Sequence, residues 1–246
     1  NMNKIKVCHF TCAHKANDIR IFQKECVSLK NDGYEVYLVA PNAESKTVDD
    51  INIVGVLVKS MNPVYRLLIS SKKIYQAAFK INADIYHFHD IELFKYGVKL
   101  KKKGYKVIFD SHENWISYVE EIKWLPSFVK KISENIIKRN YRKHLNNFDA
   151  VITVSPNIVD SLKEFSLKVF QITNYPLIKN QYEIISKEDF LKRENKICYI
   201  GTVYSNSNQE TIIHVIDQIS DVEYIIVGTV SAKFKNHLSL LPGWKR

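Results

Sequence analysis

Two clusters of histidine and carboxylate side chains each follow an apolar run of strand length. Residues 84–90 read DIYHFHD, residues 105–114 read YKVIFDSHEN, and a segment of helix length separates them. The pattern predicts a strand–helix–strand unit with both clusters at the carboxyl ends of strands. In an open parallel sheet the loops diverge at that edge and leave a crevice in which ligands bind. The candidate residues there are His87, His89, Asp90, Glu92, Asp110, Ser111, His112, Glu113 and Asn114.

The first cluster also contains part of a metal-ligand pattern. His87 and His89 stand two apart, so they point to the same face of a strand, and Asp90 follows them. Imidazole and carboxylate groups bind zinc, but metal hydrolases with an HxHxDH motif need a further Asp-His pair. Ile91 and Glu92 occupy the positions of that pair. We therefore expect no metal here, with His87 packed in the sheet, Asp90 capping the next helix and Glu92 near the helix N-terminus.

A third polar group lies between the first predicted strand and the first predicted helix. Asp18 is placed to cap the helix. The free N–H groups at the helix N-terminus, together with His14, can bind a phosphate or a sugar hydroxyl. Arg20, in the first turn, can pair with a carboxylate or a phosphate. The alternative is a helix cap at Asp18 beside an exposed His14. Lys24 and Glu25 are expected to form an ordinary solvated pair.

Alternating strand and helix patterns supply the scaffold for these loops. Strands are predicted at residues 4–10, 34–40, 52–59, 149–154 and 168–173, in addition to the two strands of the central unit. Helices are predicted from Asp18, over 64–82, over 115–147 with a break at Pro126, and from Pro156. This alternation predicts an α/β fold with a doubly wound parallel sheet.

The pattern changes after residue 174. Residues 175–195 contain a proline and no strong apolar run, which predicts a linker with one exposed helix. A second strand–helix–strand unit then begins with KICYIG and continues to VEYIIVG. Two or three strands are too few to bury an α/β core. We therefore expect residues 1–174 to form the first domain and residues 196–246 to form the start of a second, truncated domain.

The composition favours a folded protein with an anionic partner. The chain has 246 residues, 46% of them hydrophobic, and 36 Lys and Arg residues against 26 Asp and Glu residues give a net charge of +10. Such a charge attracts nucleotide phosphates, acidic membranes or nucleic acid. No helix-turn-helix, RRM or finger pattern accompanies it, so nucleic-acid binding is not expected. Four cysteines without paired spacing fit a reducing compartment.

A basic stretch between Lys123 and Lys143 is associated with aromatic residues. Trp115, Trp124 and Phe128 lie just before or within it, a pattern typical of a membrane-contact segment. The alternative is a solvated helix face whose aromatic residues belong to the core. No apolar run reaches membrane-spanning length, and no signal pattern opens the chain, so we expect a soluble or peripheral protein.

Several motifs, taken together and in order, resemble one family. They are AHKANDIRIFQKECVSLKNDGYEVYLVAPN, YHFHDIELF, KVIFDSHEN, FDAVITVSPNI, NYP and YIG, and they span nearly the whole chain. In this set the chain resembles the family 4 glycosyltransferases of the GT-B fold, in the bacterial branch that builds surface polysaccharides. No G-x-G-x-x-G motif follows the first strand, which disfavours a nicotinamide oxidoreductase.

The resemblance implies two Rossmann-like domains that share the substrates between them. The N-terminal domain would bind the acceptor, and the C-terminal domain would hold a nucleotide-diphospho-sugar as substrate, with retention of anomeric configuration and without cofactor or metal. His112 matches the family histidine that faces the donor sugar, and Gly201 with Thr202 matches the nucleotide-binding loop. The residues expected to bind acceptor or sugar are His14, Asp18, Arg20, His89, Asp90, Glu113 and Asn114.

The expected function is transfer of a hexose to a lipid-linked saccharide during surface polysaccharide synthesis. The protein would then be cytoplasmic and peripheral at the inner face of the plasma membrane, in contact with its anionic surface. The family places an Arg and a Lys after the glycine, but the loop here reads TVYSNSNQE, and the family's Glu-x7-Glu pair would lie beyond Arg246. The alternative is therefore a catalytically incomplete, acceptor-binding half that needs a separate C-terminal partner or is a non-functional remnant. Exposed apolar surface on an incomplete second domain also predicts self-association.

Overall fold

The chain divides into two units, Asn1–Leu177 and Ile178–Arg246. This computed structural model describes residues 4–122, 125–177, 185–204 and 207–245. Within those ranges, no helix is both long enough and apolar enough to cross a membrane.

The first unit is built on one eight-stranded sheet. Strands β1 to β8 are Lys6–Phe10, Glu35–Pro41, Lys46–Val48, Ile51–Val56, Ile85–Phe88, Lys106–Asp110, Ala150–Thr153 and Val169–Gln171. They lie in the order β3-β4-β2-β1-β5-β6-β7-β8, and every neighbouring pair is parallel except β3 with β4. The prediction of a doubly wound α/β sheet is therefore confirmed, with one antiparallel edge strand added.

The added strand β3 arises from a tight hairpin that the sequence analysis missed. Asp49 and Asp50 join β3 to β4, and both have positive φ angles, 50° and 58°. A two-residue hairpin of this kind needs left-handed backbone at both positions, which aspartate tolerates better than most residues. The hairpin gives the parallel sheet an antiparallel edge.

Helices connect the parallel strands of this unit. They are α1 (Ile19–Cys26 continued by Val27–Asn31), α2 (Pro63–Tyr65, Arg66–Ser70 and Ser71–Ile81), α3 (Ile91–Leu93 and Phe94–Lys102), α4 (Trp115–Glu121), α5 (Ser127–His144), a single turn at Leu145–Asn147, and α6 (Pro156–Lys163). Pro126 stands immediately before α5, so the predicted break in the long helical region is confirmed. Helices of this kind on parallel strands bury both faces of the sheet.

An aromatic cluster fills the larger part of the core. Phe88 and Phe109 stack with ring centroids 4.7 Å apart, and Phe94 and Phe148 meet them edge-on. Gly97 lets α3 approach this cluster, because a Cβ atom at that position would lie 2.4 Å from Phe88 Cε1. A separate apolar cluster includes residues of α1, β2 and β4, which packs α1 against the sheet.

The chain reverses its direction across the sheet between β1 and β5. From β1 it proceeds through β2 to β4 on one side, and then returns to β5 on the other side of β1 and continues outward to β8. Loops that follow β1 and β5 therefore leave in opposite directions. Such a switch point opens a crevice at the carboxyl ends of the two strands, which is where α/β proteins bind ligands.

The second unit has a smaller parallel pair of strands. Strands β9 (Lys196–Ile200) and β10 (Glu223–Val227) pair in parallel across α8 (Gln209–Asp217), with α7 (Lys187–Leu191) before them and α9 (Ala232–Leu238) after them. Val203, Ile213 and Leu238 are buried together. A single turn at Pro242–Lys245 ends the described chain.

Candidate functional site

Asp90 fixes the loop that follows β1. Its Oδ2 accepts hydrogen bonds from Thr11 Oγ1 at 2.8 Å, from the Cys12 amide at 2.6 Å and from the Ala13 amide at 3.3 Å. Asp90 occupies the predicted N-cap position of α3, but its side chain is buried and makes no cap bond to that helix. The buried donors of the β1 loop bind this carboxylate because they have no access to water. Asp90 thus holds the switch-point crevice in shape.

His14 lies between two carboxylates in the same loop. Its Nε2 lies 3.5 Å from Asp90 Oδ1, and its Nδ1 lies 3.4 Å from Asp18 Oδ2. Asp18 is also the helix cap, since its Oδ1 accepts from the amides of Arg20 and Ile21 at 2.9 Å each. The hydrogen bond with Asp18 raises the pKa of His14. Burial works to raise the pKa of Asp18, but the bonds from His14 and the backbone outweigh it and lower that pKa to about 2.

His112 faces His14 across the crevice, with ring centroids 5.0 Å apart. It follows β6, is partly buried, and its Nδ1 has no hydrogen-bond partner among the described residues. Burial lowers the pKa of His112, so the ring is neutral near pH 7. One half-buried edge of the sheet therefore carries two adjacent imidazoles whose pKa values are displaced in opposite directions.

The two residues after His112 differ in exposure and in contacts. The Glu113 side chain is exposed, and the Glu113 carbonyl accepts from Ser111 Oγ at 3.1 Å. Asn114 caps α4, because its Oδ1 accepts from the Ser117 amide at 3.3 Å, while its Nδ2 donates to Ser161 Oγ at 3.2 Å. Asn114 thus aims the loop that carries His112.

Arg20 forms a buried, two-pronged ion pair with Asp110. Nε donates to Oδ2 at 2.8 Å and Nη2 donates to Oδ1 at 3.1 Å, while Nη1 donates to the Ile172 carbonyl at 3.4 Å. The sequence predicts a carboxylate or a phosphate as the partner of Arg20, and in the structure this partner is the carboxylate of Asp110. Forked pairs of this kind fix geometry as well as charge. Arg20 therefore ties α1 to β6 and to the segment after β8.

His89 lies completely buried behind the crevice. Its Nδ1 is 3.2 Å from Asp110 Oδ2, and its Nε2 is 3.1 Å from His9 Nδ1. A side chain in this position supports the site from within the sheet, so contact with an acceptor would have to come through its neighbours. His87 is buried beside it, as expected for a histidine packed in the sheet.

Glu25 and His9 are polar residues of this region that the sequence analysis missed. Glu25 Oε2 lies 3.7 Å from His9 Nδ1 and 3.8 Å from His89 Nε2. The predicted solvated pair of Lys24 and Glu25 is wrong, since Lys24 Nζ donates instead to Asn174 at 2.6 Å. Burial, followed by the charge of Asp110, raises the pKa of Glu25 to about 9.

Glu25 is buried, contrary to the prediction, because α1 is not wound as a regular α-helix. Residues Ile19–Cys26 form a π-helix, which is wider than an α-helix, so its inner face carries different residues. In this winding Ile19 is 61% exposed and Ile21 is buried. Glu25 stands four residues after the buried Ile21. That spacing was the sequence signal from which the burial of Glu25 could have been predicted.

A cleft of about 600 Å³ opens next to His14, within the size range of small-ligand sites. Both apolar and polar side chains line it. The lining includes Ala13, Lys15, Asn17, Phe22, Asn42, Lys46, Ile53 and Met61. The loops after β1 and β2 and the β3–β4 hairpin thus line a pocket in the first unit.

Gly201 and Thr202 follow β9 in the second unit. Gly201 has a φ of 152°, and its carbonyl oxygen would lie 1.9 Å from a Cβ atom placed on Gly228. The two strand ends therefore approach so closely that only glycine fits at Gly228. Thr202 is exposed, and its carbonyl accepts from Tyr199 Oη at 3.0 Å. Ser205 and Asn206 of the same predicted loop lie outside the described residues.

The basic stretch predicted for membrane contact corresponds largely to α5. Phe128, Ile132 and Ile136, each four residues from the next, are 68%, 53% and 56% exposed. The alternative, in which the aromatic residues belong to the core, fails for Phe128 and holds for Trp115, which packs against the core. Lys123 and Trp124 of the predicted segment lie outside the described ranges.

Solved structures with a similar fold include several sugar-active enzymes. Sucrose-phosphate synthase from Thermosynechococcus elongatus matches at 15% identity with a TM-score of 0.69, over 94% of this chain and 64% of its own. A trehalose-6-phosphate protein from E. coli bound with UDP-2-fluoro glucose matches at 9% identity and 0.61, over 95% and 68%. The lipopolysaccharide outer core galactosyltransferase WaaB matches at 12% identity and 0.60, over 96% and 64%. The chain thus spans about two thirds of the length of these proteins.

Comparison with curated proteins gives no match. The family model described as Glycosyltransferase Family 4 matches residues 25–173, which is more than half of the chain and includes the loops after β5 and β6. These are the loops that carry Asp90 and His112. The chain therefore belongs to Glycosyltransferase Family 4 and has the fold of the GT-B glycosyltransferases.

Proposed function

We propose that the protein is a retaining glycosyltransferase that moves a hexose from a nucleotide-diphospho-sugar to a saccharide acceptor. The observation that carries this proposal is the family match over residues 25–173, because the matched segment contains the crevice with His112. The similar E. coli protein bound with UDP-2-fluoro glucose supports a nucleotide sugar as the donor. The similar lipopolysaccharide galactosyltransferase supports a lipid-linked acceptor in surface polysaccharide synthesis.

The cleft beside His14 is the proposed acceptor site. His14 has an elevated pKa and both of its ring nitrogens face the carboxylates of Asp18 and Asp90, so the ring would be held in a fixed position as a polar part of the cleft wall. The acceptor's apolar portion would contact the side chains of Phe22 and Met61 that line the cleft. Such a mixture of apolar walls with a few fixed polar groups is typical of small-ligand sites.

In this proposal His112 acts on the donor sugar. A neutral, half-buried imidazole with an unpartnered Nδ1 can bind a sugar hydroxyl and stabilise the positive charge that develops at the anomeric carbon. During retaining transfer the bond from the anomeric carbon to the diphosphate breaks, and a bond to the acceptor oxygen forms on the same face. The acceptor's hydroxyl proton passes to the departing diphosphate.

The loop after β9 is the proposed nucleotide-binding element of the second unit. Gly201 permits close approach of a phosphate to the backbone at a strand end. The adjacent sequence TVYSNSNQE contains no Arg or Lys. This observation favours a second candidate, an acceptor-binding half that acts only with a separate C-terminal partner.

Turnover measurements distinguish the two candidates. The 246-residue chain is incubated with a panel of nucleotide sugars and a lipid-linked saccharide extract, and released nucleoside diphosphate is quantified. A transferase releases the diphosphate only when acceptor is present. If the chain is inactive and becomes active only when mixed with a separate C-terminal partner, the second candidate is correct, whereas activity gained by lengthening the chain supports the first.

The His112→Ala variant tests the role of the proposed catalytic residue. Loss of a group that stabilises transition-state charge lowers kcat by roughly 100-fold to 1000-fold. His144→Ala is the matched control, because His144 lies at the end of α5, outside the crevice. Equal turnover by His112→Ala and the control would remove His112 from the mechanism.

A further inference from the structure

Four buried side chains converge between the sheet and α1. His9 comes from β1, His87 and His89 come from β5 and the residue after its end, and Glu25 comes from α1. One ligand atom from each residue lies within 4.8 Å of the other three. The three histidines are at most 4% exposed, and the Glu25 side chain is 14% exposed. Imidazole nitrogens and carboxylate oxygens are both zinc ligands.

The distances between these atoms approach those of a tetrahedral site. Bonds of about 2.1 Å to a tetrahedral zinc ion separate neighbouring ligand atoms by about 3.4 Å. His9 Nδ1 and His89 Nε2 are 3.1 Å apart, and Glu25 Oε2 is 3.7 Å, 3.8 Å and 4.0 Å from His9 Nδ1, His89 Nε2 and His87 Nδ1. The remaining pairs lie within 4.8 Å of one another, so the ligand atoms would draw together by up to about 1.4 Å when the ion binds.

Among the described residues, one hydrogen bond joins two atoms of the cluster, His9 Nδ1 and His89 Nε2 at 3.1 Å, and it leaves the Glu25 carboxylate unsatisfied. Both carboxylate oxygens of Glu25 and the Nε2 atoms of His9 and His87 have no hydrogen-bond partner within the described part of the chain. Arg20 Nε lies 3.0 Å from Glu25 Oε1 but directs its hydrogen to Asp110. When His9 and His87 carry their ring protons on Nε2, the Nδ1 lone pair of each ring is available inside the cluster.

A second carboxylate supports the cluster from behind. Asp110 Oδ2 lies 3.2 Å from His89 Nδ1, so His89 presents its Nε2 lone pair to the other three ligands. A carboxylate on the far nitrogen of a ligating histidine is the usual outer support of a zinc site. Arg20 in turn holds Asp110 with two hydrogen bonds.

We propose that His9, Glu25, His87 and His89 bind one zinc ion that joins β1, β5 and α1. Four protein ligands in a buried position make a closed, structural site rather than one that activates water. The ion would anchor α1, whose first turn carries the crevice residues Asp18 and Arg20. The proposal departs from the expectation of no metal at His87 and His89. That expectation considered Asp90 as the next ligand, whereas the structure supplies His9 and Glu25.

Metal analysis of the untagged chain gives the first test. The protein is expressed with added zinc, dialysed, and measured by plasma mass spectrometry, with an expected content of about one zinc per chain. Addition of zinc to metal-free protein at about 100 times its dissociation constant is expected to raise Tm by roughly 5 to 10 °C. Titration of the metal-free protein with cobalt is expected to give the absorption of tetrahedral Co²⁺. A wild-type chain without zinc, and without a change in Tm on zinc addition, would overturn the proposal.

Two variants locate the ion. Glu25→Gln and His87→Gln are expected to lose the zinc and the cobalt absorption, whereas Glu44→Gln and His214→Gln change exposed residues of the same types and are expected to keep both. Zinc retained in full by both cluster variants would place it elsewhere and refute the assignment. If neither variant folds, the wild-type zinc content and Tm response alone decide.

Discussion

At the level of single residues, the crevice owes its shape to carboxylates that serve the backbone. Asp90 satisfies the loop after β1, and Asp18 caps α1. Their positions at strand and helix ends were predictable from sequence, because polar residues after apolar runs mark those ends. Their partners were not predictable, since the donors of Thr11 and Cys12 lie far from Asp90 along the chain, at separations of 79 and 78 residues.

The Asp90→Asn variant measures how much this loop depends on its carboxylate. The amide that replaces the carboxylate would keep one acceptor oxygen but lose the charge, leaving buried donors poorly satisfied. We expect the free energy of unfolding to fall by about 1–3 kcal/mol in urea titrations. Asp160→Asn, at an exposed position of α6, is expected to change it by less than about 0.5 kcal/mol. Similar values for the two variants would mean that Asp90 does not hold the loop.

His14 and His112 should titrate on opposite sides of the ordinary histidine pKa. The bond with Asp18 raises the pKa of His14, and burial lowers that of His112. A raised pKa means that His14 contributes stability below its unfolded pKa of about 6.5, and that this contribution is lost as pH rises through its folded pKa. NMR titration of the ring protons measures both values. In Asp18→Asn the pKa of His14 is expected to fall while that of His112 stays low, and an unchanged His14 pKa would exclude the pairing.

At the level of elements, the order of strands and helices was predicted from the sequence more accurately than the side chains that each element buries. The parallel strands were predicted within a few residues, because each is a β-branched or aromatic run that ends at a polar turn. Glu25 was misplaced because the π-helical winding at Ile19–Cys26 has no sequence signature as strong as the apolar period of about 3.6 residues. The edge strand β3 was missed because Lys46–Val48 is too short and polar to resemble a strand.

The contact of α3 with the sheet depends on a glycine that helix propensity alone would reject. Alanine in place of Gly97 would favour the helix, but its Cβ would lie 2.4 Å from the Phe88 ring. We expect Gly97→Ala to lower the free energy of unfolding by about 1–3 kcal/mol in denaturant titrations, because overpacking outweighs propensity. Lys102→Ala, at the exposed end of the same helix, is expected to be near neutral. A stabilised Gly97→Ala would show that α3 can move away from the sheet at little energetic cost.

At the level of the whole molecule, two features favour contact with an anionic membrane surface. They are the net charge of +10 and a stripe of exposed apolar side chains on α5. Phe128, Ile132 and Ile136 lie along one side of a helix rich in Lys and Arg. Apolar side chains that enter the interface of a bilayer, with cations near anionic headgroups, each add to binding. This combination supports the peripheral contact with an anionic membrane that the sequence predicts, and the contact can be tested without knowledge of the donor or acceptor.

The triple variant Phe128→Ser, Ile132→Ser, Ile136→Ser isolates the contribution of the stripe. Since full burial of each such side chain is worth about 1.5–3 kcal/mol, even partial insertion predicts at least a roughly tenfold loss of binding to anionic vesicles in sedimentation assays. Wild-type binding should also weaken as salt rises, because screening reduces the attraction of the cations. Leu57→Ser with Leu167→Ser removes apolar residues that are even more exposed, at other positions, and should leave binding unchanged. If the control pair loses as much binding as the triple variant, general surface hydrophobicity is responsible, and α5 is not the contact.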